Sequence, residues 1–153
     1  SVNFQLIGVY EKSLAIKMIQ VLKNLKTKRA WVVHGSDGTD EISITGETHV
    51  VELDDGKINE FKINPKDAGL KICDFSEILG GSPKFNAQKI EHLVDGEKNG
   101  FFQSVVFNSA AALTISEKVK NLQDGALLAS DALLSGKTRK LIESLKTSKT
   151  SLS

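Results

Sequence analysis

The chain has 153 residues, of which 40% are hydrophobic and 25% are charged, and its formal net charge is +1. These proportions are typical of a globular domain and exclude a disordered, collagen-like or membrane protein. The near-zero charge provides no general attraction to nucleic acid or to a membrane surface. Cys73 is the only cysteine and cannot form an internal disulfide, and no stretch approaches the ~20 apolar residues of a membrane span. We therefore expect a cytoplasmic protein.

The first part of the sequence predicts a β-α-β unit. Residues 5–10 form an apolar run typical of an interior strand, and because this run follows so soon after Ser1, which is not Met, we expect Ser1 to be a cut end. Residues 14–25 carry apolar side chains at helical spacing. Residues 30–33 form a short apolar run that includes two β-branched valines, which is typical of a strand buried on both faces, and we expect this strand to reach His34. Such a unit predicts two parallel strands and a right-handed crossover.

An antiparallel hairpin is expected next. Residues 48–53 and 57–63 flank Asp54-Asp55-Gly56, and Asp-Gly suits a tight turn that needs positive φ. After a helical turn at residues 65–69, residues 70–79 are predicted to be mainly loop.

The remaining sequence predicts helices. Asn121 and Asp124 have the spacing of a capping box, and Ser135-Gly136 ends the helix that they begin. We predict one α/β domain over residues 1–146, with a mostly parallel sheet flanked by helices and an antiparallel hairpin, and a flexible tail at 147–153. Helices are expected at residues 83–95, 99–114, 121–134 and 137–146.

The segment between the second strand and the hairpin contains the candidate site. After His34-Gly35 comes a turn-forming cluster, followed by the adjacent carboxylates Asp40 and Glu41. The carboxyl end of a strand is where open α/β sheets place their ligands. Two neighbouring carboxylates suit Mg²⁺, whereas the scattered histidines and the single cysteine do not suit zinc. The alternative is that Asp37, Asp40 and Glu41 only solvate a turn.

Two other polar residues allow a functional and a structural interpretation. His34 could act as a general base, but at a strand end a hydrogen bond to the backbone is at least as common. Asn108 lies within a predicted helix, where a polar side chain is more often hydrogen-bonded than ligand-binding. The sequence contains no serine nucleophile elbow, Walker loop or dinucleotide fingerprint, so no catalytic residue is assigned.

Seven segments have a distinctive order and spacing: QLIGVY, WVVHGSDGTDEIS, VVELDDGKI, NPKDAGL, GGSPKFNA, VVFNSAAAL and LQDGALLASDALLSGK. Together they resemble the carboxyl-terminal half of the anthranilate phosphoribosyltransferase family, over about residues 5–145. The resemblance implies the large α/β domain of the fold that this family shares with nucleoside phosphorylases. It implies an enzyme of tryptophan biosynthesis that joins anthranilate to phosphoribosyl pyrophosphate with Mg²⁺ bound. It places the metal-binding pair on Asp40 and Glu41, and it leaves His34 and Gly35 to shape the loop.

Other motifs of the family do not occur in this sequence. The Gly-Thr-Gly-Gly-Asp pyrophosphate loop, the Lys-His-Gly segment and the small helical domain through which the family dimerises would all lie upstream. We therefore expect that these 153 residues alone do not catalyse. A sheet edge or apolar surface that the missing half would cover is expected to promote self-association.

Two alternatives remain open. The first is a nucleic-acid-binding relative of the same fold, which the net charge of +1 disfavours and a salt-dependent affinity for DNA would support. The second is a relative of the pyrimidine nucleoside phosphorylases. The Asp-Gly-Thr-Asp-Glu loop at residues 37–41 favours the anthranilate enzyme over that relative.

Overall fold

In the part of the chain that the structure describes, four strands form one sheet in which each strand pairs with the next along the chain, and helices cover both faces of the sheet. The computed structural model describes residues 2–150, and for 148–150 it describes the backbone alone. β1 (Phe4–Gly8) pairs in parallel with β2 (Arg29–Gly35), and α1 (Lys12–Asn24) connects them. The predicted β-α-β unit is therefore confirmed. The residue that precedes α1 is Glu11.

The hairpin extends this sheet. β3 (Thr48–Asp54) pairs antiparallel with β2, and β4 (Lys57–Ile63) pairs antiparallel with β3. The predicted α/β class, with flanking helices and an antiparallel hairpin, is confirmed. The sheet itself is mixed, with one parallel and two antiparallel pairings between the described strands, where a mostly parallel sheet was expected. The reason is burial: Val51 and Leu53 are fully buried against the α1 layer, so the hairpin continues the sheet instead of packing on it.

After β4 the described chain is mainly helical. The segment expected to be loop contains a short helix, α2 (Phe75–Ile78), whose Glu77 accepts a hydrogen bond from the Asp74 N–H at 3.2 Å. The last helix continues beyond the expected Lys146, and residues 151–153 of the predicted tail lie outside the described residues. The elements are a 3₁₀ turn (Pro65–Ala68), α2 (Phe75–Ile78), α3 (Pro83–Val94), α4 (Gly100–Ile115), α5 (Leu122–Leu134) and α6 (Lys137–Thr150).

The core has one layer on each side of the sheet. On one side, α1 packs Ala15, Ile19 and Leu22 against the strands. On the other side α4 is the central helix, and its Phe107 is fully buried. This second layer also holds Ile42, so the loop that carries the acidic pair is anchored in the core. Among the described residues, no helix has the length and apolar character needed to cross a membrane.

Candidate metal centre

A cleft of about 410 Å³ opens where β1 and β2 end. One wall is formed by the strand residues Leu6, Gly8 and Val33. The opposite wall belongs to α4, and Asp40 and Glu41 lie at the rim between the two. The predicted acidic pair therefore lies at the carboxyl end of the parallel strands, which is the usual ligand position in an open α/β sheet.

The Asp40 and Glu41 carboxylates are free to take a ligand. Both residues are exposed, and neither side chain has a hydrogen-bond or ion-pair partner among the side chains and backbone that the structure describes. The same part of the chain contains no group of three or more histidine, cysteine or acidic side chains that could enclose a metal ion. Two hard oxygen donors at an open rim suit Mg²⁺, which retains waters and takes further oxygens from phosphate. The donor set thus fits Mg²⁺ and does not fit a closed zinc site.

Gly8 brings β1 into direct contact with the acidic segment. An ideal Cβ at this position would lie 1.4 Å from the carbonyl oxygen of Asp40. No side chain fits there unless the loop moves. The close approach of Gly8 therefore fixes the position of the Asp40 backbone relative to the end of β1.

Asn108 holds the same segment from the α4 side. Its Oδ1 accepts a hydrogen bond from the Ile42 N–H, and its Nδ2 donates to the Ile42 carbonyl, both at 3.1 Å. Nδ2 also donates to the Ser104 carbonyl at 3.1 Å. The structural interpretation of Asn108 is confirmed. Its side-chain amide satisfies the backbone N–H and carbonyl of Ile42, a residue that is only 1% exposed.

Asp37 is a hydrogen-bond acceptor for its own loop. Its Oδ1 accepts from the Thr39 N–H at 3.1 Å and from the Thr39 hydroxyl at 2.7 Å. Its Oδ2 accepts from the hydroxyls of Ser43 and Thr45, each at 2.7 Å. An ionised carboxylate has about four lone-pair sites, and all of them are used here. Asp37 therefore shapes the loop and has no capacity left for a cation, a role that the sequence analysis did not assign to it.

The charge state of Asp37 makes the stability of the loop depend on pH. Burial raises the pKa of this carboxyl, but the hydrogen bonds from Thr39, Ser43 and Thr45 outweigh burial and hold the pKa below its ordinary value of 3.8. A depressed pKa means that the stabilisation is fully present above about pH 4 and is lost as the pH falls through the folded-state pKa. The difference in unfolding free energy between wild type and Asp37→Asn should be constant down to about pH 4 and then shrink, as urea titrations would measure. A difference that grows on acidification would contradict this assignment.

His34 has a structural partner. Its Nδ1 lies 2.9 Å from the Val9 carbonyl oxygen, and because a carbonyl can only accept, Nδ1 is the donor. This bond joins the ends of β1 and β2, next to the bond from the Val9 N–H to the Val33 carbonyl at 2.9 Å. Of the two interpretations of His34, the structure supports the backbone hydrogen bond, and His34 is not among the residues that line the cleft.

Comparisons with known proteins identify the family of the chain. The model of the glycosyl transferase family, a/b domain, matches residues 1–139. The anthranilate phosphoribosyltransferase of Methylocella silvestris is 41% identical over 144 residues, which are 94% of this chain and 41% of that protein. The corresponding protein of Methanobrevibacter smithii is 40% identical over 141 residues, 92% of this chain and 42% of that protein.

Solved structures show the same likeness. Anthranilate phosphoribosyltransferase from Thermus thermophilus superposes with a TM-score of 0.80 at 31% identity, over 89% of this chain and 40% of that one. The Saccharomyces cerevisiae enzyme in complex with PRPP and Mg superposes with a TM-score of 0.81 at 25% identity, over 92% and 41%. The chain thus spans about 41% of the length of these relatives. The resemblance to anthranilate phosphoribosyltransferases is confirmed, and the chain belongs to the glycosyl transferase family through its a/b domain.

Proposed function

We propose that this chain supplies the metal-binding lobe of an anthranilate phosphoribosyltransferase, which transfers phosphoribosyl from phosphoribosyl pyrophosphate to anthranilate. One observation carries the proposal. Asp40 and Glu41 are carboxylates without a partner among the described residues, and they lie at the ends of β1 and β2 on a loop whose backbone is held by Gly8 and Asn108. The sequence identity of 41% over 144 residues to a protein of that name supports the choice of substrates.

The chemistry suits two carboxylates at an open rim. Departure of pyrophosphate from the ribosyl carbon leaves negative charge on the phosphate oxygens, and a bound Mg²⁺ would neutralise that charge. Asp40 and Glu41 would hold the ion by two oxygens and leave its other positions to phosphate and water. Gly8 contacts the Asp40 backbone and Asn108 holds the Ile42 backbone, so the main chain that carries the two carboxylates needs little reorganisation when the ion binds.

The metal site can be tested without catalysis by titrating the chain with Mn²⁺ and following free Mn²⁺ by electron paramagnetic resonance. Replacing both ligands, in Asp40→Asn/Glu41→Gln, should weaken Mn²⁺ binding by about tenfold or more, because no charged oxygen would remain. A matched control is Asp131→Asn/Glu143→Gln, which removes the same charge from exposed helix positions away from the cleft. Equal loss in both variants would show nonspecific charge attraction and would sink the proposal.

Turnover is a separate part of the proposal. The sequence contains no Gly-Thr-Gly-Gly-Asp and no Lys-His-Gly segment, so we propose that these 153 residues bind the cation but do not catalyse alone. If the isolated chain, incubated with anthranilate, phosphoribosyl pyrophosphate and Mg²⁺, caused the anthranilate fluorescence to fall, the proposed lack of catalysis would be wrong. The cytoplasmic location stays a prediction, supported by the single cysteine.

Self-association also stays a prediction, as does the homodimer expected for the complete enzyme. Among the described strands β1 pairs only with β2, so its other edge is open although apolar residues of β1 pack into both core layers. An edge of this kind tends to pair with another chain. Sedimentation velocity at increasing concentration should therefore show oligomers, whereas a strictly monomeric chain would contradict the prediction.

A further inference from the structure

Asp37 connects the two ends of the acidic segment. Thr39 immediately precedes Asp40, and Ser43 is separated from Glu41 only by Ile42. The side chains that donate hydrogen bonds to Asp37 therefore lie on both sides of the acidic pair along the chain. The Oδ1 atom takes the donors before the pair, and the Oδ2 atom takes the donors after it. One side chain thus fixes the distance between the entry and the exit of the segment.

Other contacts make this geometry specific. The Gly35 N–H donates to the Thr39 carbonyl at 3.0 Å, which closes the turn beneath Asp37. A Cβ at Gly35 would lie 2.5 Å from the Asp37 Oδ1 and 2.6 Å from the Thr39 Oγ1, so the carboxylate fills the space that a side chain would occupy. The Ser43 N–H donates to the Thr48 hydroxyl at 2.8 Å, which attaches the exit of the segment to β3.

We infer that Asp37 is a positioning residue for the divalent cation: its carboxylate holds Thr39 and Ser43 together so that Asp40 and Glu41 face the cleft at a fixed separation. The inference rests on the proposed function, since it requires the cation to bind at that pair. Asp37 itself does not touch the ion, because each of its oxygens already accepts two hydrogen bonds from the loop. Groups that orient metal ligands in this way commonly change metal affinity by about 10–100-fold when they are mutated.

The experiment is the Mn²⁺ titration by electron paramagnetic resonance, carried out near neutral pH and well below the melting temperature of every variant. Asp37→Asn should weaken Mn²⁺ binding about tenfold although both ligands are intact. Thr39→Val keeps the shape of the side chain but removes one donor, and it should weaken binding about threefold. The control is Ser36→Ala, in the same loop, because within the described chain the Ser36 hydroxyl makes no hydrogen bond.

A double variant separates positioning from general destabilisation. If the Thr39 hydroxyl acts through Asp37, Thr39→Val should cost little further Mn²⁺ affinity in the Asp37→Asn background. A lowered melting temperature with unchanged Mn²⁺ affinity in Asp37→Asn would show a purely structural role and would overturn the inference. If Asp37→Asn does not fold, Thr39→Val decides: wild-type affinity in that variant overturns the inference.

The proposed function fails in a different way. If the wild type does not bind Mn²⁺, or if Asp40→Asn/Glu41→Gln binds it as tightly as the wild type, the metal site is wrong and the inference falls with it. If the ligand variant loses Mn²⁺ binding and Asp37→Asn retains it, only the positioning role of Asp37 is overturned.

Discussion

Gly8→Ala is expected to lower the free energy of unfolding by about 3 kcal/mol, at the upper end for an overpacked site. The added methyl carbon would lie 1.4 Å from the carbonyl oxygen of Asp40 and 2.4 Å from its carbonyl carbon. Both atoms belong to backbone, so the conflict cannot be relieved by a change of rotamer. The loop must move away from β1, and we expect the affinity for Mn²⁺ to fall with it. Urea unfolding and the Mn²⁺ titration measure the two effects.

Gly56→Ala is the matched control for that variant. Gly56 lies in the hairpin turn at φ 84°, and a Cβ there would meet nothing within 4 Å. Alanine at this position should cost about 1–2 kcal/mol from left-handed backbone strain alone. Because the hairpin turn lies away from the cleft, Mn²⁺ affinity should be unchanged. Wild-type stability together with wild-type Mn²⁺ affinity in Gly8→Ala would show that β1 does not position the acidic segment.

Asn108→Leu is expected to lower the free energy of unfolding by about 3 kcal/mol, although the two side chains are similar in size. The substitution removes both hydrogen bonds to the Ile42 backbone, and Ile42 is 1% exposed, so water does not replace them. Each buried polar group left without a partner costs about 1–3 kcal/mol. Chemical denaturation of the purified chain would measure the loss.

Ser109→Ala provides the comparison for Asn108→Leu. Ser109 is the next residue on α4 and lines the same cleft, but its hydroxyl makes no hydrogen bond to any described group. Its replacement should change stability by no more than about 0.5 kcal/mol. If Asn108→Leu were as stable as Ser109→Ala, the Ile42 backbone would have another partner and the proposed attachment to α4 would be wrong.

These variants and the ligand variant separate two properties of the site. Gly8→Ala and Asn108→Leu disturb the contacts that hold the backbone of the acidic segment, and they should lower both stability and Mn²⁺ affinity. Asp40→Asn/Glu41→Gln removes two exposed carboxylates without a partner, so it should lower affinity and leave stability nearly unchanged. If Gly8 and Asn108 hold the backbone of the acidic segment in place, the first two variants should lose both stability and Mn²⁺ affinity, and the ligand variant should lose affinity alone.

Local patterns in the sequence were sufficient for most elements. The β-α-β unit and the hairpin follow from apolar periodicity and from Asp55-Gly56, because each depends on residues close together in the chain. The predicted cap at Asn121 is confirmed, since its side chain accepts from the Asp124 N–H at 2.8 Å. The reciprocal half of a capping box is not seen among the described residues, because the Asp124 carboxylate accepts from the Asn121 side-chain amide instead of its backbone N–H. The position of Asp40 and Glu41 at a strand end also follows from sequence, because a loop must begin where its strand stops.

The tertiary structure decided which of the three neighbouring carboxylates is free. Asp37, Asp40 and Glu41 share one turn, and their spacing alone does not distinguish a hydrogen-bonded structural group from two candidate ligands. The hydroxyl residues at positions 39, 43 and 45 were a signal for the role of Asp37, but they become its donors only when the loop folds back toward β3.

The contacts that hold the acidic segment likewise come from distant parts of the chain. Gly8 reaches Asp40 from the end of β1, and Asn108 reaches Ile42 across 66 residues. The sequence by itself determined the elements and the place of the acidic pair, because periodicity and turn chemistry are local. Only the folded chain determined the contacts that hold the backbone around that pair, because close packing and buried hydrogen bonds depend on which distant residues the core brings together.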